Sequence, residues 1–261
     1  GLDVVFHLAG NTRALKSADY YTVNQEGTAS LFRSLLRQKD RPRIIVLSSQ
    51  AACGPSPEGR PVKESDPPRP IAPYGWSKLY AEKEALKFKD EFPVGILRAS
   101  AVFGPRDRDF LAYFKFVAKG IILAPEGNNA ASLVYVKDLT EALLLSAQGN
   151  YASGEIFNIA DSRGYTWSEF GEAAAAALGK SGRKIILPKG LLYLIALGYE
   201  TGYQVTRRPG LLTRSKYREM MQPGWLLDVG KAAARLSFRT RYSLDQAVRE
   251  TIAWYLAEGW M

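Results

Sequence analysis

The chain has 261 residues, 46% hydrophobic and 23% charged, a balance typical of a folded globular protein with one large domain or two small ones. A single cysteine excludes an internal disulfide framework, and with one histidine it leaves no His/Cys zinc site, so we expect no metal. The net charge of +9 indicates a solvated basic surface or attraction to anions such as cofactor phosphates, a nucleotide-linked substrate or an acidic membrane; no recognised nucleic-acid-binding motif accompanies it.

Strands and helices alternate through the first 160 residues. Apolar runs predict strands at 3–9, 43–48, 94–98, 133–136 and 155–159, and other segments predict helices at about 20–38, 74–90, 109–119 and 136–147. Residues 55–72 form a proline-rich loop, which we interpret as a lid or a substrate edge. The alternation predicts an α/β domain over residues 1–160, with a doubly wound parallel sheet and right-handed crossovers.

The pattern changes after residue 160, where we predict a smaller C-terminal lobe over residues 161–261. Thr166 and Glu169 have the spacing of a helix capping box, and an alanine-rich helix follows to Leu178. The apolar run 190–198 predicts a core helix, with the wall of a lipid or sterol pocket, or contact with a membrane surface, as alternatives. Residues 243–255 have the pattern of an amphipathic terminal helix.

No signal peptide opens the sequence, and no apolar run reaches the roughly 18 residues of a membrane span. We therefore expect a cytoplasmic protein without a transmembrane segment, for which peripheral membrane contact stays open.

A tyrosine and a lysine one helical turn apart, in Tyr74-Gly-Trp-Ser-Lys78, form the most informative pattern, because Ser48 and Ser49 lie 25 residues before the tyrosine at a strand end. An ammonium stabilises a nearby phenolate, and a hydroxyl from Ser49 can bind the same substrate oxygen. The three groups predict a proton-transfer site for an alcohol or ketone, which needs a hydride carrier, usually a nicotinamide.

A Tyr-x-x-x-Lys pair alone is weak evidence, because a surface helix produces it as well. Its surroundings favour a site: two apolar strands end in small residues beside it, and ligands of parallel sheets bind beyond the carboxyl ends of strands. His7, in the middle of a strand, is interpreted as a structural histidine. A basic cluster is either solvated or a clamp for a nucleotide diphosphate; it comprises Arg207, Arg208, Arg214, Lys216 and Arg218.

Six segments of the chain match one family in the same order. They are Val4-Val-Phe-His-Leu-Ala-Gly10, Asn24-Gln-Glu-Gly-Thr28, Leu47-Ser-Ser-Gln-Ala-Ala-Cys-Gly-Pro55, Tyr74-Gly-Trp-Ser-Lys78, Leu97-Arg-Ala-Ser-Ala-Val-Phe-Gly-Pro105 and Tyr135-Val-Lys-Asp-Leu139. The sequence thereby resembles the extended short-chain dehydrogenase/reductase superfamily, in its NAD-dependent epimerase/dehydratase branch, including the 3β-hydroxysteroid dehydrogenase relatives. The resemblance implies a Rossmann-type sheet with a substrate-binding C-terminal lobe.

The resemblance also implies roles for individual residues. The catalytic set would be Ser49, Tyr74, Lys78 and Asn24. NAD or NADP would be contacted by Leu8, Ala9, Gly10, Leu47, Ser48, Tyr74, Lys78, Arg98, Ala99, Ser100 and Ala101, where Ala99 replaces the usual proline. The substrate, a small molecule, would be contacted by Gln50, Ala51, Phe103 and Arg208.

Two further expectations rest on the resemblance. The helices at 20–38 and 74–90 match the dimer-forming pair of the family, so we expect a homodimer. The glycine-rich phosphate-binding turn that opens the family's fold does not occur in these residues. We therefore expect an N-terminally truncated piece of a longer protein, lacking roughly 60 residues, that binds dinucleotide poorly by itself.

The function expected is an NAD(P)-dependent epimerase or dehydrogenase acting on a hydroxyl or keto group of a nucleotide sugar or a sterol-like substrate. Dehydratase activity is disfavoured, because Gln50 and Ala51 occupy the positions where dehydratases of the branch carry an acidic pair. The alternative is a non-catalytic relative, a dinucleotide-sensing or scaffold protein.

Overall fold

The computed structural model describes residues 1–14, 16–57, 60–127, 129–206 and 213–261, without the side chains of residues 200–206. The strands in these ranges are β1 Val4–His7, β2 Arg43–Ser49, β3 Val94–Ala99, β4 Ala101–Phe103, β5 Ile121–Pro125, β6 Ala131–Tyr135, β7 Glu155–Ile159, β8 Gly164–Tyr165 and β9 Arg183–Leu187. The helices are α1 Ser17–Tyr20, α2 Gly27–Leu36, α3 Gln50–Cys53, α4 Pro73–Leu86, α5 Asp109–Ala118, α6 Val136–Gln148, α7 Trp167–Ala177, α8 Lys189–Thr206, α9 Arg214–Met220, α10 Gly230–Leu236 and α11 Leu244–Ala257.

Four parallel strands form the central sheet in the order β1-β2-β3-β7. The apolar run in β2 is buried on both faces, as expected for a strand inside a parallel sheet. Because the strands run in one direction, their carboxyl ends meet at one edge, where the predicted site residues lie.

Helices cover both faces of this sheet. On one face, Phe32 of α2 and Ala85 of α4 pack against Ile44, Val46 and Ile96. On the other face, α6 packs against side chains that alternate with these, Ile45 and Leu97 among them. The predicted Rossmann-type α/β architecture is confirmed for the described chain.

The helix predicted at about 20–38 is more complex than its sequence pattern indicated. It runs from α1 through a π-helical segment, Tyr21–Glu26, into α2, which ends at Leu36. The π-helical turns bury Asn24. Such segments interrupt α-helices mainly at functional sites.

A second core lies against the first and is built mainly of aromatic side chains. Phe103, Phe114 and Phe170 pack together with Tyr255, and helices α5, α7 and α11 supply much of the cluster. The predicted capping box is present: Thr166 and Glu169 bond reciprocally at the start of α7. This core takes residues from both sides of position 160. The division into 1–160 and 161–261 stays a prediction.

Among the described helices, none combines the length and the apolar character needed to cross a lipid bilayer.

Candidate active site

Helix α4 presents the tyrosine and lysine in the predicted arrangement. Pro73 occupies the first turn, where its missing N–H costs no hydrogen bond. Tyr74 is half-buried, and Lys78, one turn later, is only 7% exposed. Both side chains lie on the side of α4 that faces the carboxyl ends of β1 and β2.

Ser49 connects β2 to the short helix α3. Its hydroxyl accepts a hydrogen bond from the backbone N–H of Ala51 at 3.2 Å and thereby caps α3. The same hydroxyl lies close enough to Tyr74 to influence the pKa of its phenol. The structure thus brings Ser49 and Tyr74 together, whereas Ser48 points to the opposite face of the strand.

Burial and the neighbouring Ser49 hydroxyl act on the pKa of Tyr74 in opposite directions. Burial raises the pKa of the phenol above its ordinary value, and the Ser49 hydroxyl lowers it. The charge of Glu219, on α9, raises it further. The net pKa is raised, whereas the sequence pattern indicated a phenol that is easier to ionise; removal from water outweighs the stabilisation of the phenolate.

The Lys78 ammonium is held at the end of β2. Its Nζ donates to the carbonyl oxygen of Leu47 at 2.6 Å. Burial lowers the pKa of Lys78 to about 8, and the carboxylate of Glu82 opposes this shift. Lys78 is therefore a buried lysine that can exchange its proton near neutral pH.

Asn24 is tied to the site from the other side. Its Oδ1 accepts from the backbone N–H of Asn11 at 2.7 Å, and its Nδ2 donates to the carbonyl of Asn11 at 3.1 Å and to Oγ of Ser77 at 2.8 Å. Ser77 directly precedes Lys78. Asn24 therefore links the loop after β1 to helix α4.

Small residues leave room beside this linkage. A Cβ added to Gly10 would lie 3.1 Å from Oδ1 of Asn24 and 3.6 Å from Nζ of Lys78. Leu8, Ala9 and Gly10 are exposed at this edge. An exposed backbone with small side chains leaves room for the approach of a flat cofactor ring, so these residues are suited to hold a nicotinamide.

A buried ion pair next to the site was not foreseen from the sequence. Arg98 donates to Glu82 through Nε at 2.9 Å and Nη2 at 2.8 Å, and Ser48 donates to the same carboxylate at 2.5 Å. Glu82 is 1% exposed and Arg98 3%. The available signal was helical spacing, because Glu82 lies one turn after Lys78.

The cofactor contacts expected for Ser48 and Arg98 stay predictions. In the structure, both side chains donate hydrogen bonds to Glu82. Ala99 and Ser100 are buried at the end of β3, and Ala101 is exposed. His7 has the structural role expected: its Nε2 lies 2.9 Å from Oγ1 of Thr28.

The residues expected to contact the substrate differ in how deeply they are buried. Gln50 is buried, and Ala51 is half-buried next to Ser49. Phe103 packs inside the aromatic core rather than on an open rim, because Phe110 and Phe170 surround its ring. Arg208, with Arg207, lies outside the described residues.

Helix α9 brings the C-terminal part of the chain to Tyr74. Glu219 acts on the Tyr74 phenol through its charge, and its carboxylate pairs with Lys216 at 3.0 Å. The backbone carbonyl of Glu219 accepts from the indole N–H of Trp225 at 2.8 Å. Lys216 belongs to the predicted basic cluster, so part of that cluster does lie near the site.

A parallel sheet covered on both faces, with a Ser, Tyr and Lys at its carboxyl edge, defines a Rossmann-type protein of the nicotinamide-dependent class. Residues 1–160 match the NAD dependent epimerase/dehydratase family, and the chain belongs to that family. This family is NAD-dependent, in agreement with the cofactor expected from the sequence.

Curated relatives span several activities. The chain is 26% identical to a ceramide reductase of Caulobacter vibrioides, over 100% of the chain and 76% of the relative. It is 26% identical to a decarboxylating sterol-4-alpha-carboxylate 3-dehydrogenase of Schizosaccharomyces pombe, over 96% and 77%. It is 28% identical to a UDP-glucose 4-epimerase of Vibrio cholerae, over 71% and 60%.

Solved structures share the fold at lower identity. A UDP-glucuronic acid 4-epimerase from Bacillus cereus, in complex with NAD, superposes with a TM-score of 0.77 at 21% identity, over 98% of this chain and 75% of that one. RMD from Pseudomonas aeruginosa, complexed with NADPH, gives 0.78 at 18% identity, over 98% and 82%.

Proposed function

We propose that this chain carries the catalytic centre of an NAD(P)-dependent oxidoreductase or epimerase, with Tyr74 as general acid/base. The observation that carries the proposal is the placement of Ser49 beside Tyr74 at the end of β2, next to the buried Lys78, whose Nζ donates to the carbonyl of Leu47. Two hydroxyls that meet at the carboxyl edge of a parallel sheet can bind one substrate oxygen between them.

Tyr74 and Ser49 divide the work at that oxygen. A raised pKa keeps the Tyr74 phenol protonated, so that it can donate its proton to an oxygen that becomes an alkoxide, and take it back in the reverse direction. The Ser49 hydroxyl binds the same oxygen and fixes its distance from the phenol. The nicotinamide, when bound, supplies or accepts the hydride.

Lys78 and Asn24 hold this arrangement in place. The hydrogen bond from Lys78 to the Leu47 carbonyl fixes α4 against the end of β2. Asn24 fixes the same helix against the loop after β1 through Ser77.

Two substrate classes are retained. Nucleotide sugars are supported by the UDP-glucose 4-epimerase relative and by the basic side chain of Lys216 near the site. Lipid alcohols or ketones, sterol-like ones included, are supported by the ceramide reductase and sterol dehydrogenase relatives. An epimerase returns the hydride to the opposite face of the substrate carbon, and a dehydrogenase releases it with the cofactor.

The homodimer is a further proposal that rests on resemblance. Val23, in the π-helical segment, and Trp76, on α4, are 41% and 38% exposed on the two helices expected to pair. Exposed apolar side chains at such positions are suited to a helix–helix interface.

The test is Tyr74→Phe in the complete protein, assayed for NAD(P)-coupled turnover of sterol-like alcohols and for epimerisation of UDP-sugars. Removing the hydroxyl removes the proton donor without changing the ring, so we expect turnover to fall by about 100-fold or more while cofactor binding persists. Tyr80→Phe, on the same helix, is the matched control and should keep wild-type turnover.

A Tyr74→Phe protein with unchanged turnover would contradict the proposed role of the phenol. Wild-type protein that binds dinucleotide but turns over neither substrate class would support the alternative of a dinucleotide-sensing or scaffold relative.

A further inference from the structure

The C-terminal lobe exposes apolar side chains on two consecutive elements. They lie on β9 and on one side of α8, and we call them the β9–α8 surface; they are Ile185, Ile186, Leu191, Leu194 and Ile195. Leu194 is 63% exposed and Ile186 52%. Isolated exposed apolar residues are ordinary on protein surfaces, but Leu191, Leu194 and Ile195 recur at helical spacing on one side of α8, and an exposed apolar helix face is the kind of feature that marks an interaction site.

Helix α8 is unusual because its apolar residues continue around the helix. Leu192 and Ala196, one turn apart, are buried, and Tyr193 packs against Tyr217 of α9 with ring centroids 5.5 Å apart. Leu191, Leu194 and Ile195 lie on the other side at helical spacing and face outward. A helix that is apolar on all sides normally lies inside a protein or against lipid.

The segment that carries this surface is positively charged in the sequence. Between Lys180 and Tyr199 there are four cations and no acidic residue. The cations are Lys180, Arg183, Lys184 and Lys189, and all four residues are exposed. Two carboxylates reach them from other elements: Glu172 pairs with Lys184, and Glu126 accepts from the backbone N–H of Lys189.

We propose that the β9–α8 surface binds anionic lipid bilayers, with α8 lying in the plane of the membrane interface. Apolar side chains can enter the boundary between headgroups and acyl chains while the neighbouring cations meet lipid phosphates. A second copy of the chain is a poorer occupant, because two-fold symmetry would place the same cations opposite one another. The net charge of +9 favours the anionic surface in the same way.

The test is flotation of the full chain with phosphatidylcholine vesicles, with and without phosphatidylglycerol. We expect binding to vesicles that contain phosphatidylglycerol, weaker binding at high salt, and little binding to phosphatidylcholine alone. Leu194→Glu should lower the vesicle-bound fraction by about tenfold or more, because it places a carboxylate in the apolar contact. Leu191→Gln, on the same face, should lower it less.

The matched control is Leu256→Glu on α11, since Leu256 is 55% exposed and outside the β9–α8 surface. It should bind vesicles as the unchanged chain does. Circular dichroism checks that each variant is folded.

Three results would overturn the proposal. They are absence of binding to both vesicle types, equal loss of binding in Leu256→Glu and Leu194→Glu, and a dimer in sedimentation equilibrium that Leu194→Glu dissociates. The last result would assign the surface to a second copy of the chain.

Discussion

The two cores of this protein are buried to a similar degree but are stabilised differently. Beneath the candidate site, Glu82 and Arg98 form a charged pair with fixed hydrogen bonds. In the second core, Phe114 and Phe170 pack by shape alone among other rings. The first core adds a directional charged pair to its apolar packing, whereas the second depends mainly on the volume of its rings. Substitutions of equal size should therefore have different costs in the two regions.

The largest effect is expected in the charged pair. Glu82→Gln keeps the shape of the side chain but leaves the Arg98 guanidinium buried without a counterion, which should lower the free energy of unfolding by about 3 to 5 kcal/mol. This free energy of unfolding is measured by urea denaturation, with circular dichroism as the signal. Glu84→Gln, on the same helix, removes the charge that pairs with exposed Lys87 and leaves an amide oxygen for Gln25, so it should cost less than about 1 kcal/mol. Equal costs for the two variants would remove the distinction between the cores.

A smaller effect is expected in the aromatic core. Phe170→Leu shortens a buried ring that contacts Phe103 and Phe114, and neighbouring rings can partly fill the space. We expect a cost of about 1 to 2 kcal/mol in the same unfolding experiment. A cost above that of Glu82→Gln would show that the aromatic core is the more rigid of the two.

The last expected effect is a difference between the two cores in how stability depends on pH. Burial lowers the pKa of Lys78 from 10.5 to about 8, so the unfolded chain binds this proton more tightly than the folded chain does. The charged lysine therefore costs stability below pH 8, and this cost disappears as the pH rises from about 8 towards 10.5. The wild type therefore gains stability over this range and Lys78→Met does not. The free energy of unfolding of Lys78→Met, relative to that of the wild type and measured by urea unfolding, should be lower at about pH 10 than at pH 7 by on the order of 2 kcal/mol.

Two variants control this pH comparison. Lys83→Met, which removes an exposed lysine of the same helix, is the matched control for the loss of a lysine. The cost of Phe170→Leu should be the same at both pH values. A pH dependence in Phe170→Leu as large as that in Lys78→Met would mean that titration elsewhere dominates.

The sequence was sufficient where local patterns carry the information. Apolar runs predicted the four strands of the central sheet, and the Thr166–Glu169 spacing predicted the start of α7. Ser49 and Tyr74 were chosen from their spacing, and the structure brings them together. Their catalytic roles stay predictions.

The sequence was insufficient where distant segments decide the structure. Strand β5 pairs with β9 across about 60 residues, and the side chains of β9 are mostly exposed, so neither strand has a periodic apolar pattern of its own. Arg98 and Glu82 were not recognised as a buried pair, because isolated charges indicate a surface and only the packing of α4 against the sheet brings these two together. The exposed side of α8 could not be predicted either, because it depends on which other elements pack against the helix.

The π-helical segment around Asn24 bears on how this chain can tolerate insertions and deletions. A π-helical turn holds one residue more than an α-helical turn, so deleting one residue from Tyr21–Glu26 would restore a regular helix. The same deletion would rotate Asn24 by about 100° relative to the rest of the helix and separate it from Asn11 and Ser77. Keeping Asn24 in contact with its partners therefore requires the number of residues in this segment to be preserved as well as the asparagine itself.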